Sequence, residues 1–140
     1  MNAGRPPQAP PPTPGARVLV IEDYADLREI TCRILTLKGY RVESAVDGLA
    51  GLELFRAGGF DAVVCDLGLP RLGGSELVRQ LRELGPGTAL VAVTGLLSNG
   101  LAQEALAAGC DEVLVKPLPS FRVLVEVLER TMARRRPGSS

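Results

Sequence analysis

From Arg17 onward, short apolar runs alternate with segments whose apolar residues return every three or four positions. Val18-Leu19-Val20-Ile21 is continuously apolar, the pattern of a strand covered on both faces, because a half-solvated strand would alternate with polar residues. Between Asp26 and Lys38, Leu27, Ile30, Ile34 and Leu37 fall at helical spacing, and Gly39 stops the run. Residues 41–45 read as a short alternating strand. Asp47 then opens a helix that runs to Ala57, its carboxylate suited to capping the first free amides. Gly51 within that helix weakens it by roughly 1 kcal/mol relative to alanine.

The theme repeats to the end of the chain. Ala62-Val63-Val64-Cys65 and residues 89–93 are apolar strands, and Val113-Leu114-Val115 is the last. Between them lie helical segments from Ser75 to Leu84, with Leu77 and Leu81 inward, and from Ser98 to Ala108, closed by Gly109. A final helix spans about Ser120 to Arg135, with Leu124, Val125, Leu128 and Met132 as its core stripe. Val123 and Val127 fall off that stripe, either partly covered by neighbours or presented as a dimer or partner face. Arg134-Arg135-Arg136 suits the negative end of the helix dipole and reads as a solvated helix end.

Five strands alternating with five helices imply a parallel sheet with helices on both faces, since crossovers between parallel strands are right-handed. The fold class is therefore α/β, a doubly wound five-stranded parallel sheet. Residues 1–15 contain six prolines and no large apolar side chain after Met1, so they form a disordered or polyproline-II tail. Residues 16–134 form the domain and 135–140 a polar tail.

Composition removes whole classes of function. At 140 residues, 46% apolar and 23% charged, the chain builds one core and not two. Its formal net charge is zero and 4% of its residues are aromatic, which offers no nucleic-acid groove and no base-stacking platform. No apolar run approaches the ~18 residues of a membrane span, and no signal pattern opens the chain. Cys32, Cys65 and Cys110 are far apart and lack CxxC spacing, so they read as reduced packing thiols of a cytoplasmic protein. The sequence has no histidine, which excludes Ser-His-Asp and Cys-His catalysis, His-ligated metals and a phosphohistidine carrier. Neither Lys38 nor Lys116 follows a glycine, so the phosphate-binding GxxxxGK[ST] loop is missing.

In a parallel sheet the carboxyl ends of all strands reach one edge, where ligands bind. Here those ends carry Glu22-Asp23, Asp66, Thr94 and Lys116, whereas the second strand ends in Ala45-Val46. Three converging carboxylates need a cation to remain ionised. All-oxygen ligation without histidine or paired cysteine suits Mg2+. Lys116 and Thr94 add an ammonium and a hydroxyl of the kind that hold phosphoryl oxygens, which leaves Asp66, on the central strand, as the nucleophile.

These residues resemble the receiver domains of two-component response regulators. The signatures are Ile21-Glu22-Asp23, Cys65-Asp66-Leu67-Gly68-Leu69-Pro70 with Gly73-Gly74, Val93-Thr94-Gly95 and Val115-Lys116-Pro117. Each is weak alone, but the four stand in order at strand ends, and the resemblance covers about Arg17 to Met132. It implies a flavodoxin-like fold of strand order 2-1-3-4-5 and phosphorylation of Asp66 by a sensor histidine kinase or phosphotransfer protein. It also implies Mg2+ held by Asp23, Asp66 and the Gly68 carbonyl, with Glu22 assisting through water. Lys116 would contact the phosphoryl group, Thr94 would swing toward it, and the Lys116-Pro117 bond would be cis. Where many members carry an aromatic residue in the fifth strand, this chain has Val113, so the usual rotamer coupling from Thr94 is not available.

With only a few polar residues after Met132, the expectation is a single-domain module that signals through a partner protein or as a homodimer. Two other classes compete. An aspartyl-nucleophile phosphatase would carry a second Asp where this chain has Gly68. A non-phosphorylated scaffold, or pseudo-receiver, would have no need of the complete Glu22, Asp23, Asp66, Thr94 and Lys116 set. A dinucleotide-binding fold is disfavoured because Glu22-Asp23-Tyr24, and not GxGxxG, follows the first strand. Gly68 and Leu96, the expected flanks of the phosphoryl group, carry no group to orient water, so self-hydrolysis should be slow to moderate.

Overall fold

Each apolar run becomes a strand and each periodic segment a helix, in strict alternation. The computed structural model describes residues 15–95 and 100–135. The strands are β1 (Arg17–Ile21), β2 (Arg41–Ala45), β3 (Ala62–Asp66), β4 (Ala89–Thr94) and β5 (Glu112–Val115). The helices are α1 (Ala25–Leu37), α2 (Gly48–Ala57), α3 (Gly74–Leu84), α4 (Leu101–Ala108) and α5 (Phe121–Arg135). Ser98, where the sequence pattern starts the fourth helix, lies outside the described residues, as do most of the proline-rich tail and the residues after Arg135.

All pairings are parallel and the order is β2-β1-β3-β4-β5, with β3 in the middle. This is the flavodoxin-like doubly wound arrangement, and it puts the switch in winding direction between β1 and β3. The two-residue period of the strands divides the core into two layers. Leu19, Ile21, Val63 and Leu90 pack under α2, α3 and α4 with Leu52, Phe55, Leu77 and Leu81. Val18, Val20, Val64 and Val91 face α1 and α5 with Leu35, Leu124 and Leu128. Leu81 and Leu128 are fully buried, and truncating either to alanine is expected to cost about 2–5 kcal/mol.

Two expectations from spacing are corrected. Ile30 and Leu37 are exposed, at 46% and 79%, and the face that α1 buries runs through Thr31 and Leu35 instead. A threonine in the stripe disguised its phase, so apolar residues alone gave a rotated face. Val127 is also not a surface residue: it is 5% exposed and belongs to the α1/α5 layer. α5 lies deep enough across the sheet to bury a wider arc than one stripe, and Thr131 caps that arc by donating to the Val127 carbonyl at 2.6 Å. Of Val123 and Val127, the former keeps an intermediate exposure.

Asp47 caps α2 as its position predicts, accepting from the Ala50 amide at 2.8 Å. Gly51 has a reason of its own, since a Cβ there would run into the Ile21 side chain. At the opposite end of the sheet Asp111 accepts from the Leu90 amide at 2.8 Å and pairs with Arg82 and Arg135 at 3.1 and 2.6 Å. Arg134 reaches Glu112 at 3.4 Å, so these two arginines of the terminal cluster tie α5 to β5 instead of standing free in solvent. Ahead of the first strand, the Gly15 amide donates to the Gly39 carbonyl at 3.3 Å. Among the described residues, no helix is long and apolar enough to cross a membrane.

Candidate functional site

The carboxyl ends of β1, β3, β4 and β5 meet at one edge. Register fixes the geometry: Ile21 lies opposite Cys65 on β3, Asp66 opposite Val93, and Thr94 opposite Val115. The residues just beyond, Glu22-Asp23 and Lys116, are thereby carried to the two flanks of Asp66. Parallel pairing in this register carries the convergence, since it brings every strand's carboxyl end to the same edge.

Glu22, Asp23 and Asp66 each offer a carboxylate oxygen, and the three oxygens lie within 4.8 Å of one another. Lys116 Nζ donates to Asp66 Oδ2 and to Glu22 Oε1, both at 3.0 Å. Asp66 Oδ1 accepts from the Gly68 amide at 2.9 Å, and Glu22 Oε2 accepts from the Tyr24 amide at 3.2 Å. Glu22 is the most enclosed member, at 8% side-chain exposure. Burial pushes its carboxyl above the usual range, and the Lys116 and Tyr24 hydrogen bonds only partly offset that. Lys116 also loses hydration, but its bonds to Asp66 and Glu22 outweigh the loss and hold its ammonium above the ordinary lysine range.

Thr94 stands apart. It is 3% exposed, its carbonyl accepts from the Lys116 amide at 2.7 Å, and its hydroxyl is buried without a hydrogen-bond partner among the described residues. A buried hydroxyl left unpaired costs about 1–3 kcal/mol, so a residue of this kind at a strand end is a candidate contact for an absent ligand. The Glu22, Asp23 and Asp66 donor set fits a hard divalent cation such as Mg2+, being all oxygen, acidic and without a soft ligand. The Lys116-Pro117 peptide is cis, as the resemblance implies.

Sequence reasoning did not single out three supporting contacts. Arg28, on α1, donates to the Glu22 carbonyl at 3.1 Å. Arg71 stands in the left-handed region at φ 68° and pairs with Asp47 at 3.6 Å, which fastens the loop after Asp66 to the head of α2. The third is the close seat of that loop, where a Cβ on Gly48 would run into the Leu72 carbonyl. All three depend on loop paths, which the alternation of apolar and polar residues does not encode.

Residues 18–129 match the family model for the response regulator receiver domain. The chain belongs to this family. Receiver domains are signalling domains. This receiver is 38% identical over 126 residues to the response regulator MprA of Mycobacterium sp. (strain KMS), covering 88% of the chain and 55% of the relative. It is 39% identical over 117 residues to MprA of Mycolicibacterium vanbaalenii, covering 84% and 49%. The chain thus spans about half the length of the curated relatives it matches. Among solved structures it resembles a CheY-like receiver domain protein from Methanospirillum hungatei, with a TM-score of 0.82 and 30% identity over 86% of this chain and 96% of the other. It also resembles a response regulator from Burkholderia pseudomallei described with a phosphorylated aspartic acid and a calcium ion. That match has a TM-score of 0.76 and 28% identity over 85% of this chain and 69% of that one.

Proposed function

We propose that this receiver accepts a phosphoryl group on Asp66 from the phosphohistidine of a sensor histidine kinase or phosphotransfer protein, and passes the change to a protein partner or into a homodimer. The observation that supports this most is the position of Asp66. Its carboxylate lies between an acidic pair and the Lys116 ammonium, at the carboxyl end of the central strand.

The chemistry follows from those neighbours. An Asp66 oxygen attacks phosphorus, an O–P bond forms and the P–N bond to the donor imidazole breaks, the imidazole nitrogen keeping the electron pair. Lys116 balances charge on the transferred oxygens, as a fixed cation at a developing oxyanion does. The Thr94 hydroxyl gains a partner when it turns toward the phosphoryl group. Mg2+ would be held by Asp23, Asp66 and the Gly68 carbonyl, with Glu22 acting through water, and when bound it would neutralise charge between the acids and the incoming group. Lys116 is already engaged by Glu22 in this state, so Glu22 also acts as a counter-ion that keeps the ammonium aimed across the site.

The route outward differs from one based on an aromatic switch. Val113 occupies the relevant place in β5, opposite Ala92, half-buried against the layer under α4. Movement at Thr94 would therefore reach α4 and β5 by packing, without a swinging ring.

The test is incubation with acetyl phosphate and Mg2+ followed by intact mass measurement. The proposal expects one added phosphoryl group, lost in Asp66→Asn and lost when the metal is chelated. Continuous hydrolysis of a phosphate ester would indicate a phosphatase instead, and an unmodified chain would indicate a scaffold.

A further inference from the structure

The two faces of the sheet are packed very differently. Under α2 the fit is so close that Gly51 has no room for a Cβ against Ile21. Beside α1 and the start of α5, by contrast, a half-open cleft of about 440 Å³ adjoins the acidic site. Its walls are apolar, with Val20 and Val64 from the sheet, Leu27 from α1, and Leu118, Phe121 and Leu124 around α5. Thr31 is the one polar side chain of the wall that takes no part in the site, and Glu22, Asp66 and Lys116 form the rim.

The cleft is open to solvent on one side: Leu27, Leu118 and Phe121 are its partly exposed lining, and Val20, Val64 and Leu124 form its buried floor. The volume falls in the range of ligand pockets, which typically pair apolar walls with a few converging polar groups. The rim also selects by charge. Two carboxylates face one ammonium there, and the third carboxylate of the cluster, Asp23, lies within 4.8 Å. A negative excess at the rim of an apolar cleft favours a cation on an apolar body and disfavours an anion.

We propose that this cleft is a binding site for a small molecule with an apolar, ring-sized body and a cationic amine head. The body lies between Leu27 and Phe121, and the head sits at the carboxylates of Glu22 and Asp66. Because the head occupies the same acids that suit a divalent cation, ligand and Mg2+ exclude one another. The cleft is thereby an inlet through which a metabolite-sized amine would hold the receiver in an unmodified state. Binding is read without any phosphodonor, so this inference stands or falls separately from phosphorylation of Asp66.

The experiment is a titration of the whole chain with naphthylmethylamine, followed by backbone amide resonances, with naphthoate as the anionic counterpart. Saturable shifts are expected at Val20, Val64, Leu118 and Phe121, with affinity reduced tenfold or more by added Mg2+. Leu27→Trp, which fills the cleft, is expected to weaken binding by at least tenfold while keeping a dispersed spectrum; should it unfold, Thr31→Leu serves the same purpose. The proposal is overturned if shifts stay at Glu22, Asp23 and Asp66 and none appear along the wall. It is equally overturned if naphthoate binds as well as the amine, or if the folded filling variant binds as tightly as the native chain.

Discussion

Lys116 Nζ stands 3.0 Å from Asp66 Oδ2, although fifty positions separate the two residues in the chain. The same nitrogen is 3.0 Å from Glu22 Oε1. One ammonium thus holds together the carboxyl ends of β1, β3 and β5.

Replacing that ammonium separates its two roles. Lys116→Met is expected to lower the rate of phosphorylation by acetyl phosphate about 100-fold or more, the usual scale for removing one fixed donor to a developing oxyanion. Fold should survive, because the residue lies at the rim. Rates from time-resolved intact mass, beside a thermal melt, check both parts.

Gly68 has open space where a side chain would be, a Cβ there meeting only Asp66 Oδ1 at 3.6 Å. Gly68→Asn therefore fits without strain and brings an amide within reach of water near the phosphoryl group. Self-hydrolysis should quicken by roughly tenfold, less than the ~100-fold or more of a full general acid or base because an amide orients water without taking its proton. The native phospho-form should last minutes or longer, and a decay within a few seconds in a phosphate-release assay would contradict this.

Tyr40 is buried, its hydroxyl has no partner among the described residues, and burial, with the charge of Glu129 adding to it, raises its pKa to about 12. An unfolded tyrosine loses its proton near pH 10. Between those values the folded chain binds more protons than the unfolded one, so stability falls as pH rises. The contribution is whole below pH 10 and is lost through pH 12, a change of about 2–3 kcal/mol. Tyr40→Phe should flatten that part of the denaturation profile and cost little at neutral pH, since the hydroxyl it removes is unpaired.

Gly51→Ala sets helix propensity against packing. Alanine favours α2 by about 1 kcal/mol, but its methyl would enter the Ile21 side chain, and overpacking of this kind costs typically ~1–3 kcal/mol. The variant should be destabilised by urea denaturation. Ile21→Val removes the clashing methyl, so the double variant should recover part of the loss, a non-additivity that neighbours in contact are expected to show.

These contacts also mark what a sequence displays and what it leaves out. The order and type of the ten elements among the described residues followed from period and punctuation, because the inner strands of a doubly covered sheet must be continuously apolar while the edge strand β2 alternates. The gathering of Glu22, Asp23, Asp66 and Lys116 followed from parallel topology alone. Helix phase was less visible: Thr31 in the buried stripe of α1 and Val127 on the wider buried arc of α5 defeated a reading that counted only apolar residues along one narrow face. Gly51 looked like a weakness until its neighbour was known, since the space for a Cβ on α2 is set by Ile21 on β1. The Arg71 contact with Asp47 and the cleft beside α1 are products of loop path and packing, which residue periodicity does not describe.

The central claim is that Asp66 forms the bond to phosphorus. After reaction with acetyl phosphate and Mg2+, borohydride reduction converts an aspartyl phosphate to homoserine, and peptide mass spectrometry then reads the position. The account predicts homoserine at residue 66 and at no other acid; reduction at Asp23 or Glu22 with residue 66 unchanged would contradict it.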